Sequence, residues 1–536
     1  MSQHTPSGLL DALEPRLLMA AKPTFAVIPD ASLLGGSPLL IPIDGYDKDG
    51  TAIKYTVKSS NAQVKASFTA RSNPALKLQV AGFGAMTFQL FADLSPLATN
   101  HVAQLASSGF YDGLIFHRVI NDFMIQGGDP NGDGSGGSSL GEFDDQFHPD
   151  LQHNTTGLLS MAKAQDDGND SQFFITEGPT RHLDFNHAIF GILTEGEAVR
   201  EAISNVAVDG NDKPTSNVVI TKATVVKDTQ NAVLMLKAPA GYTGTTTITV
   251  TATDPTGKKT VRSFDVTVTP DTLNGGPYLK STPVVVTAQD QPVTFQLPAY
   301  DIEDDDFYFD AVVASQSSED FTFDIDHDTG LVTVTPPTGF QGTLHLYAGV
   351  SAADGSNTND TWDTQSIPIY VLAPDSAGAT PAAALDLGNV SKSLPQGTVT
   401  ELVNKTSDPI DVYRVKLTKA GSFSAAILHL TDNAKLQLLN QSGKVLATSD
   451  KPGLKTEVVT KSLAKGVYYL KVTAMGDNNA AYILDGKLSA AKAGNTAALA
   501  ASLSLASLAQ PTATWQITAM NPLTTADDEA TWELLD

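Results

Sequence analysis

Short apolar runs broken by Gly, Pro, Asn and Asp set the rhythm of this chain from Phe25 onward. Leu39-Leu40-Ile41-Pro42-Ile43, Ile53-Lys54-Tyr55-Thr56-Val57 and Thr246 to Ala252 are representative. Each is rich in β-branched or aliphatic residues and bounded by turn formers, and each predicts a strand of an antiparallel sandwich. Between about Pro74 and Asp228 the texture changes, and Pro96 to Ser107 and Glu195 to Ser204 predict helices there.

An internal repeat organises these runs. Pro239-Ala240-Gly241-Tyr242-Thr243-Gly244-Thr245 matches Pro337-Thr338-Gly339-Phe340-Gln341-Gly342-Thr343, and both copies close on a strand followed by Pro-Asp, at Pro270-Asp271 and Pro374-Asp375. Upstream, Tyr46-Asp47 matches Tyr300-Asp301. The late motifs lie about 98 residues apart and the early ones about 254, so the first copy carries about 156 extra residues between its halves. Those residues coincide with the segment of different texture. The economical reading is a sandwich built from 23–73 and 229–272, with a separate domain, 74–228, inserted at a strand connection; loop closure costs little more as a loop lengthens. A second, uninterrupted sandwich follows at 276–375. Both resemble the immunoglobulin-like or cadherin-like modules of bacterial surface proteins.

Beyond a Pro/Ala/Ser-rich linker, Ala373 to Ala384, a third β module is expected at 385–488. Asp411 to Val415, Leu436 to Asn440 before a Ser442-Gly443-Lys444 turn, and Gly466 to Val472 are its strands; their order resembles the prepeptidase C-terminal domain appended to exported bacterial enzymes. Residues 489–536 read as a low-complexity linker and acidic tail. At the other end, 1–22 is not a standard signal peptide, because Asp11, Glu14, Pro15 and Arg16 interrupt its apolar stretch. Its Leu13-Glu14-Pro15-Arg16-Leu17-Leu18 resembles a short motif near the start of large exported bacterial surface proteins; with it, and chiefly with the β modules that follow, export to the cell surface or beyond is the expected location.

Length and charge narrow the functional classes. A chain of 536 residues exceeds a single domain. A net charge of −25 with no basic cluster argues against nucleic acid as a partner. No apolar run reaches the length of a membrane-spanning helix. With no cysteine, disulfides, thiolate metal sites and cysteine nucleophiles are excluded. No Ser-His-Asp, HExxH or P-loop pattern is present.

Within 74–228 the residues become particular. Gly109-Phe110-Tyr111-Asp112-Gly113 leads to Phe116-His117-Arg118-Val119-Ile120, then Phe123-Met124-Ile125-Gln126-Gly127-Gly128-Asp129-Pro130, Gly157 to Ala162, Ser171-Gln172-Phe173-Phe174-Ile175 and His187-Ala188-Ile189-Phe190-Gly191. Taken singly, the phenylalanines read as strand core and the histidines as structural. In this order and spacing the segments resemble the cyclophilin family of peptidyl-prolyl cis-trans isomerases, over about 75–227. The resemblance implies a cyclophilin closed β-barrel with flanking helices, and with the several β-sandwich modules read above the expected fold is mainly β and multidomain. It implies Arg118, Phe123 and Gln126 as catalytic residues, and His117, Met124, Ala162, Gln172, Phe174, Leu183 and His187 as substrate-binding ones. Two positions depart from the family: Lys163 stands where Asn is frequent, and His182 where many eukaryotic members have Trp, which implies weak cyclosporin sensitivity.

The chemistry suits such residues. An X–Pro amide resists rotation by about 18–20 kcal/mol through resonance. Lowering that barrier needs an apolar cup for the ring and a fixed donor near the prolyl nitrogen, but no nucleophile, metal or redox cofactor. No cofactor is therefore expected in the barrel. Asp129 to Gly134 resembles a calcium loop but has Leu140 where a bidentate Glu is required, so it reads as a turn. In the sandwiches, Asp44, Asp47 and Asp49, and Asp301, Glu303, Asp304, Asp305 and Asp306, form acidic loops; Asp47, Asp49, Asp301 and Asp304 are the calcium candidates, against a reading as solvated turns. The expected function is isomerisation of X–Pro bonds in exported or surface polypeptides, with β modules that tether the enzyme to cell-surface or matrix components. The alternative is an adhesive or structural protein whose groove binds proline-containing segments without relevant turnover.

Overall fold

The computed structural model describes residues 21–489, apart from 71, 165–166, 281, 283, 316, 318, 354–361, 374–375, 396–398 and 478. The Leu13 to Leu18 motif, Pro374-Asp375 and the tail beyond 489 lie outside the described residues. The chain is mainly β and divides into two compact units, one drawn from Met1–Ser139, His148–Lys163 and Asn169–Leu273, the other from Leu140–Phe147, Ala164–Gly168 and Asn274–Asp536.

In the first unit eight strands close into a barrel, in the spatial order Met124–Gly127, Phe173–Thr176, Leu158–Met161, Ile189–Glu195, Gly84–Leu90, Ala75–Val80, Val218–Val226 and Ile115–Ile120. Closure leaves no unpaired strand edge. The first and last strands of this segment are neighbours, with Ala75 opposite Val226. Inside, the Phe116 ring meets Phe173 edge-on at 6.3 Å, and Phe173 meets Tyr111 at 5.6 Å.

Two helices are present among the described residues. Pro96–Ser108 has proline in its first turn and buries Ala98, Thr99, Val102, Leu105 and Ala106, a 3–4 spacing that makes one apolar face. Gly109, at φ 80°, ends it. The second helix is Glu197–Ser204 and not the expected Glu195 to Ser204. Glu195 finishes a strand, and Gly196 turns the chain at φ 100° where a Cβ would stand 2.4 Å from the Ala85 carbonyl oxygen.

Two further sheets of this unit draw strands from both sides of the barrel segment. One holds Leu39–Ile43, Ala232–Lys237 and Lys65–Phe68; the other holds Ala31–Gly35, Lys259–Pro270, Gly244–Thr253 and Lys54–Ser59. Ala31–Gly35 runs parallel to Val266–Pro270. Between the sheets Leu33, Ile43, Leu234, Leu236, Ile248, Val250 and Phe264 form one core. The strand Ala232–Lys237 is buried on both faces: Leu234 and Leu236 enter that core, while Val233 and Met235 join Leu40 against Phe91, Leu151, Leu158, Ile189 and Ile192 of the barrel segment. Each such side chain contributes about 1.5–3 kcal/mol of burial. Polar contacts rim the seam: Lys237 with Asp150, Ser37 with Gln152, and Asn154 Nδ2 donating to the Pro38 carbonyl at 2.6 Å.

The second unit contains two sandwiches. Val285–Ala288, Asp363–Leu372, Gly342–Ala352 and Phe307–Val313 face Val293–Gln296, Leu331–Thr335 and Thr322–Ile325 across a core that includes Phe295, Phe309, Val332, Leu346 and Ile369. A five-stranded sheet centred on Ile410–Leu417 and Gly466–Ala474 packs on a four-stranded one centred on Ala480–Ser489 and Gly421–Leu428. There Tyr413 and Tyr482 share a buried hydrogen bond, and Tyr482 donates to Asp411.

Candidate functional site

Four barrel strands lie side by side, and their register assembles a row of side chains from distant sequence. Arg118 is opposite Gln126, Gln126 opposite Phe174, and Phe174 opposite Ser160. Directly opposed residues share a face of the sheet, with Cβ atoms about 4.5–5.5 Å apart. A bulge aims the first of them. Gln126 pairs with Arg118 but Gly127 pairs with Phe116, so His117 has no partner of its own in the strand register. The extra residue lets Phe116 and Val119 both enter the barrel interior, at 0% and 1% exposure, and sends His117 and Arg118 together to the outside.

Their surroundings differ. Arg118 stays exposed, with its Nε 3.7 Å from Asp212 Oδ2. Asp212 adopts φ 62°, and its carbonyl accepts the Val119 N–H at 2.8 Å. His117 is buried beside the loop that starts at Asp129, and its Nδ1 has no hydrogen-bond partner among the described residues. Burial pushes its pKa below the usual histidine value, with Lys213 and Arg118 acting in the same direction and Asp129 and Asp133 opposing. The loop is a turn built on the Asp129 carboxylate, which accepts N–H groups from Asn131, Asp133, Gly134 and Gly136. Burial raises the Asp129 pKa, but these donors outweigh it and hold the group below the usual carboxylate value.

Two glutamines are locked in sequence. Gln172 Nε2 donates to the carbonyls of Gly134 and Gly136, both at 2.9 Å, and its Oε1 accepts from Gln126 Nε2 at 3.1 Å. Gln126 therefore lies opposite Arg118 while its amide is held by Gln172; the acid beside Arg118 is Asp212. The Ala162 N–H donates to the Gln172 carbonyl at 3.0 Å.

Apolar side chains complete the place. Met124 is 3% and Phe174 5% exposed. Phe123, after the tight Asn121-Asp122 turn, stacks on His182 with ring centres 5.8 Å apart. His182 and Leu183 sit on a short 3-10 turn, Arg181–Leu183. His187 meets the Phe174 ring edge-on at 5.5 Å, and its Nδ1 donates to the Met161 carbonyl at 3.0 Å. The structure thus gathers Arg118, Gln126 and Phe174 on one network of strands, with Gln172 bonded to Gln126, with Met124, Phe123, Ala162 and His187 attached through these contacts, and with Leu183 next to His182 on the 3-10 turn. His117 shares the bulge and is covered.

Burial pushes the His187 pKa down to about 4. The ring is neutral above that value, so Nδ1 carries the proton and Nε2 is an acceptor. Because the unfolded chain binds this proton at about pH 6.5 and the folded chain does not, stability is expected to fall as pH drops from about 6.5 to about 4. Thermal unfolding across that range should show a shallower slope in His187→Gln; an unchanged slope would remove His187 as a contributor.

Three residues here escape sequence reading. His153 is fully buried, stacks on Phe174 at 6.0 Å, and engages Asp184 through Nδ1 at 3.2 Å and Ser160 through Nε2 at 3.0 Å. Neither it nor Asp184 belongs to a motif that marks it. Asp212 sits in Gly210-Asn211-Asp212, a turn signal that says nothing of an arginine far upstream.

Three of the four acidic calcium candidates accept hydrogen bonds from backbone or hydroxyl groups. Asp47 accepts from the Asp49 N–H and Thr51 Oγ1, Asp49 from the Ala21 N–H, and Asp301 from the N–H groups of Glu303 and Asp305. Asp304 takes a left-handed turn conformation, φ 66°. Among the described residues no cluster of three His, Asp or Glu side chains could hold a metal ion.

Comparison with known proteins gives this geometry a family. Residues 75–225 match the model of the cyclophilin type peptidyl-prolyl cis-trans isomerases, and 409–474 match that of the bacterial pre-peptidase C-terminal domain. Peptidyl-prolyl cis-trans isomerase-like 1 of Neurospora crassa is 48% identical over 147 residues, covering 27% of this chain and 90% of its own. Peptidyl-prolyl cis-trans isomerase A of Mycobacterium tuberculosis is 48% identical over 157 residues, 28% of this chain and 86% of its own. A crystal structure of a Cryptosporidium parvum cyclophilin type peptidyl-prolyl cis-trans isomerase in the presence of the dipeptide Ala-Pro is 35% identical and covers 29% of this chain and 99% of that one, with a TM-score of 0.28. Through the barrel that carries Arg118, the chain belongs to the cyclophilin-type peptidyl-prolyl cis-trans isomerases.

Proposed function

We propose that this isomerase acts on X–Pro bonds of exported or cell-surface polypeptides, and that its β modules tether it where those clients fold. The catalytic part of this reading rests on one observation: the bulge at His117-Arg118 aims an exposed guanidinium out of a barrel face whose next residues in the row are Gln126 and Phe174. Phe123, Met124, Phe174 and Leu183 would hold the pyrrolidine ring, and Gln126, Gln172 and Ala162 the flanking backbone. Arg118 would donate to the prolyl nitrogen as it becomes pyramidal, which weakens amide resonance in the twisted state. No proton moves, consistent with a neutral His187.

The wider organisation is part of the proposal. A sandwich from 23–73 and 229–272 would carry the isomerase, 74–228, between its strands, followed by a sandwich at 276–375 and the pre-peptidase-like module at 385–488. Pairing of Leu39–Ile43 with Ala232 to Leu236 supports the first of these. The pre-peptidase match supports export, and no helix among the described residues is long and apolar enough to cross a membrane. Calcium in the acidic turns is not needed for this function.

The test is catalysed isomerisation of an X–Pro peptide by the whole chain. Acceleration is expected; none would leave only the binding alternative. Cyclosporin inhibition is expected to be weak, since His182 is exposed and engaged with Phe123, and His182→Trp should strengthen it by about tenfold, the worth of one good contact. Inhibition that is equal in both proteins would overturn that expectation.

A further inference from the structure

The turn that bears Leu183, assigned above to the proline cup, is tied to a residue outside the barrel. Asp271 follows the long strand Lys259–Pro270. Its Oδ2 accepts from Arg181 Nη1 at 3.1 Å and from Ser37 Oγ at 2.8 Å. Arg181 opens the 3-10 turn that bears His182 and Leu183, and its Nε is bonded to Asp184 Oδ2. The other oxygen of Asp184 accepts from the His153 backbone N–H and is 3.2 Å from His153 Nδ1, and the His153 ring stacks on Phe174. Arg181 and Asp271 are each 13% exposed, Asp184 5% and His153 1%. This is a continuous run of charge-assisted hydrogen bonds out of water, where such bonds are strong and directional.

Arg181 is suited to the junction because one planar guanidinium presents separate N–H groups to two carboxylates. Asp271 fixes the far side of that fork, and thereby the rotation of the turn on which Leu183 stands. Asp184 then fixes the plane of His153, against which the Phe174 ring rests. We infer that Asp271 is a positioning residue for the isomerase: through Arg181 and Asp184 it sets the spacing between Leu183 and Phe174, the two sides of the proline cup. The sandwich strand is on this account a buttress of the active site as well as a carrier. The inference rests on the functional reading above.

The experiment uses the whole chain and steady-state isomerisation of an X–Pro peptide. Leu183 and Phe174 hold the ring in ground and transition states alike, so their loosening acts on binding. Asp271→Ala should raise KM by about three- to tenfold and leave kcat within about twofold. Asp271→Asn, which keeps the shape and loses the charge, should move KM in the same direction, and covers the case in which the alanine variant does not fold. Arg181→Ala combined with Asp271→Ala should raise KM no further than Arg181→Ala alone, because both cut one path. Val250→Ala, in the sandwich core and remote from Arg181, is the control for general loosening. An unchanged KM in folded Asp271 variants overturns the inference, as does an equal rise in Val250→Ala at matched loss of stability; in either case a wild-type rate that depends on Arg118 leaves the isomerase reading standing. Absence of turnover in the wild type would overturn both.

Discussion

Arg118→Ala is expected to lower kcat/KM for prolyl isomerisation by about 100- to 1,000-fold, the range for removing one preorganised donor from a transition state. The fold should survive it. Arg118 is 45% exposed, its ionic partner Asp212 is 43% exposed at 3.7 Å, and such pairs contribute at most about 1 kcal/mol. A large loss of rate with a small loss of stability is therefore the signature to look for, from a coupled isomerisation assay beside thermal unfolding. Arg118→Lys should recover only part of the rate, since it keeps the charge and loses the planar fork. A rate undiminished in Arg118→Ala would show that the pocket works without its cation, and donation to the prolyl nitrogen would fall as the mechanism.

The second large effect is on stability. Val233 is fully buried on the face of Ala232–Lys237 that meets the barrel segment, among Leu40, Phe91, Leu151 and Met235. Val233→Asp puts a carboxylate into that apolar cluster, and an unpaired buried charge belongs to the class of substitutions that cost on the order of 4 kcal/mol or more. For a unit of this size the melting temperature should fall by roughly 8–16 °C, read by calorimetry. Lys237→Ala, at the rim, loses only a half-exposed ion pair and should shift it little. A Val233→Asp protein that melts within a degree or two of wild type would mean that this face is wet.

The order of motifs from Phe116 to His187 is enough to name the barrel and to single out Arg118, Gln126 and Phe174 as site candidates, which the strand register sets in one row, because these residues lie in short local strings whose spacing is itself the signal. The bulge is not readable, although both residues it re-aims stand in one of those strings. A one-residue register shift depends on the partner strand, and Gly127 says only that some close approach occurs. His153, Asp184, Asp212 and Asp271 are harder still: each acts through a contact with a residue far along the chain or in a turn of ordinary composition. The run Ala232-Val233-Leu234-Met235-Leu236 is a different case. Its lack of alternation is how a strand buried on both faces reads, yet a buried helix segment reads the same until its partners are known. The second helix starts later than its residues predict because Glu195 favours helix, while Gly196 must turn left-handed against Ala85 before a helix can begin.

The parallel pairing of Ala31–Gly35 with Val266–Pro270 has a consequence for a chain under stretch. Tension applied between Ala31 and Pro270 would fall on two strands that run the same way, so their hydrogen bonds would be loaded together in shear and not peeled one at a time. The barrel segment enters and leaves through two neighbouring strand ends, while Asp271, next after Pro270, ties the loaded strand to Arg181. A pull at that end of the clasp would therefore bear on the turn of Leu183 as well as on the strand pair.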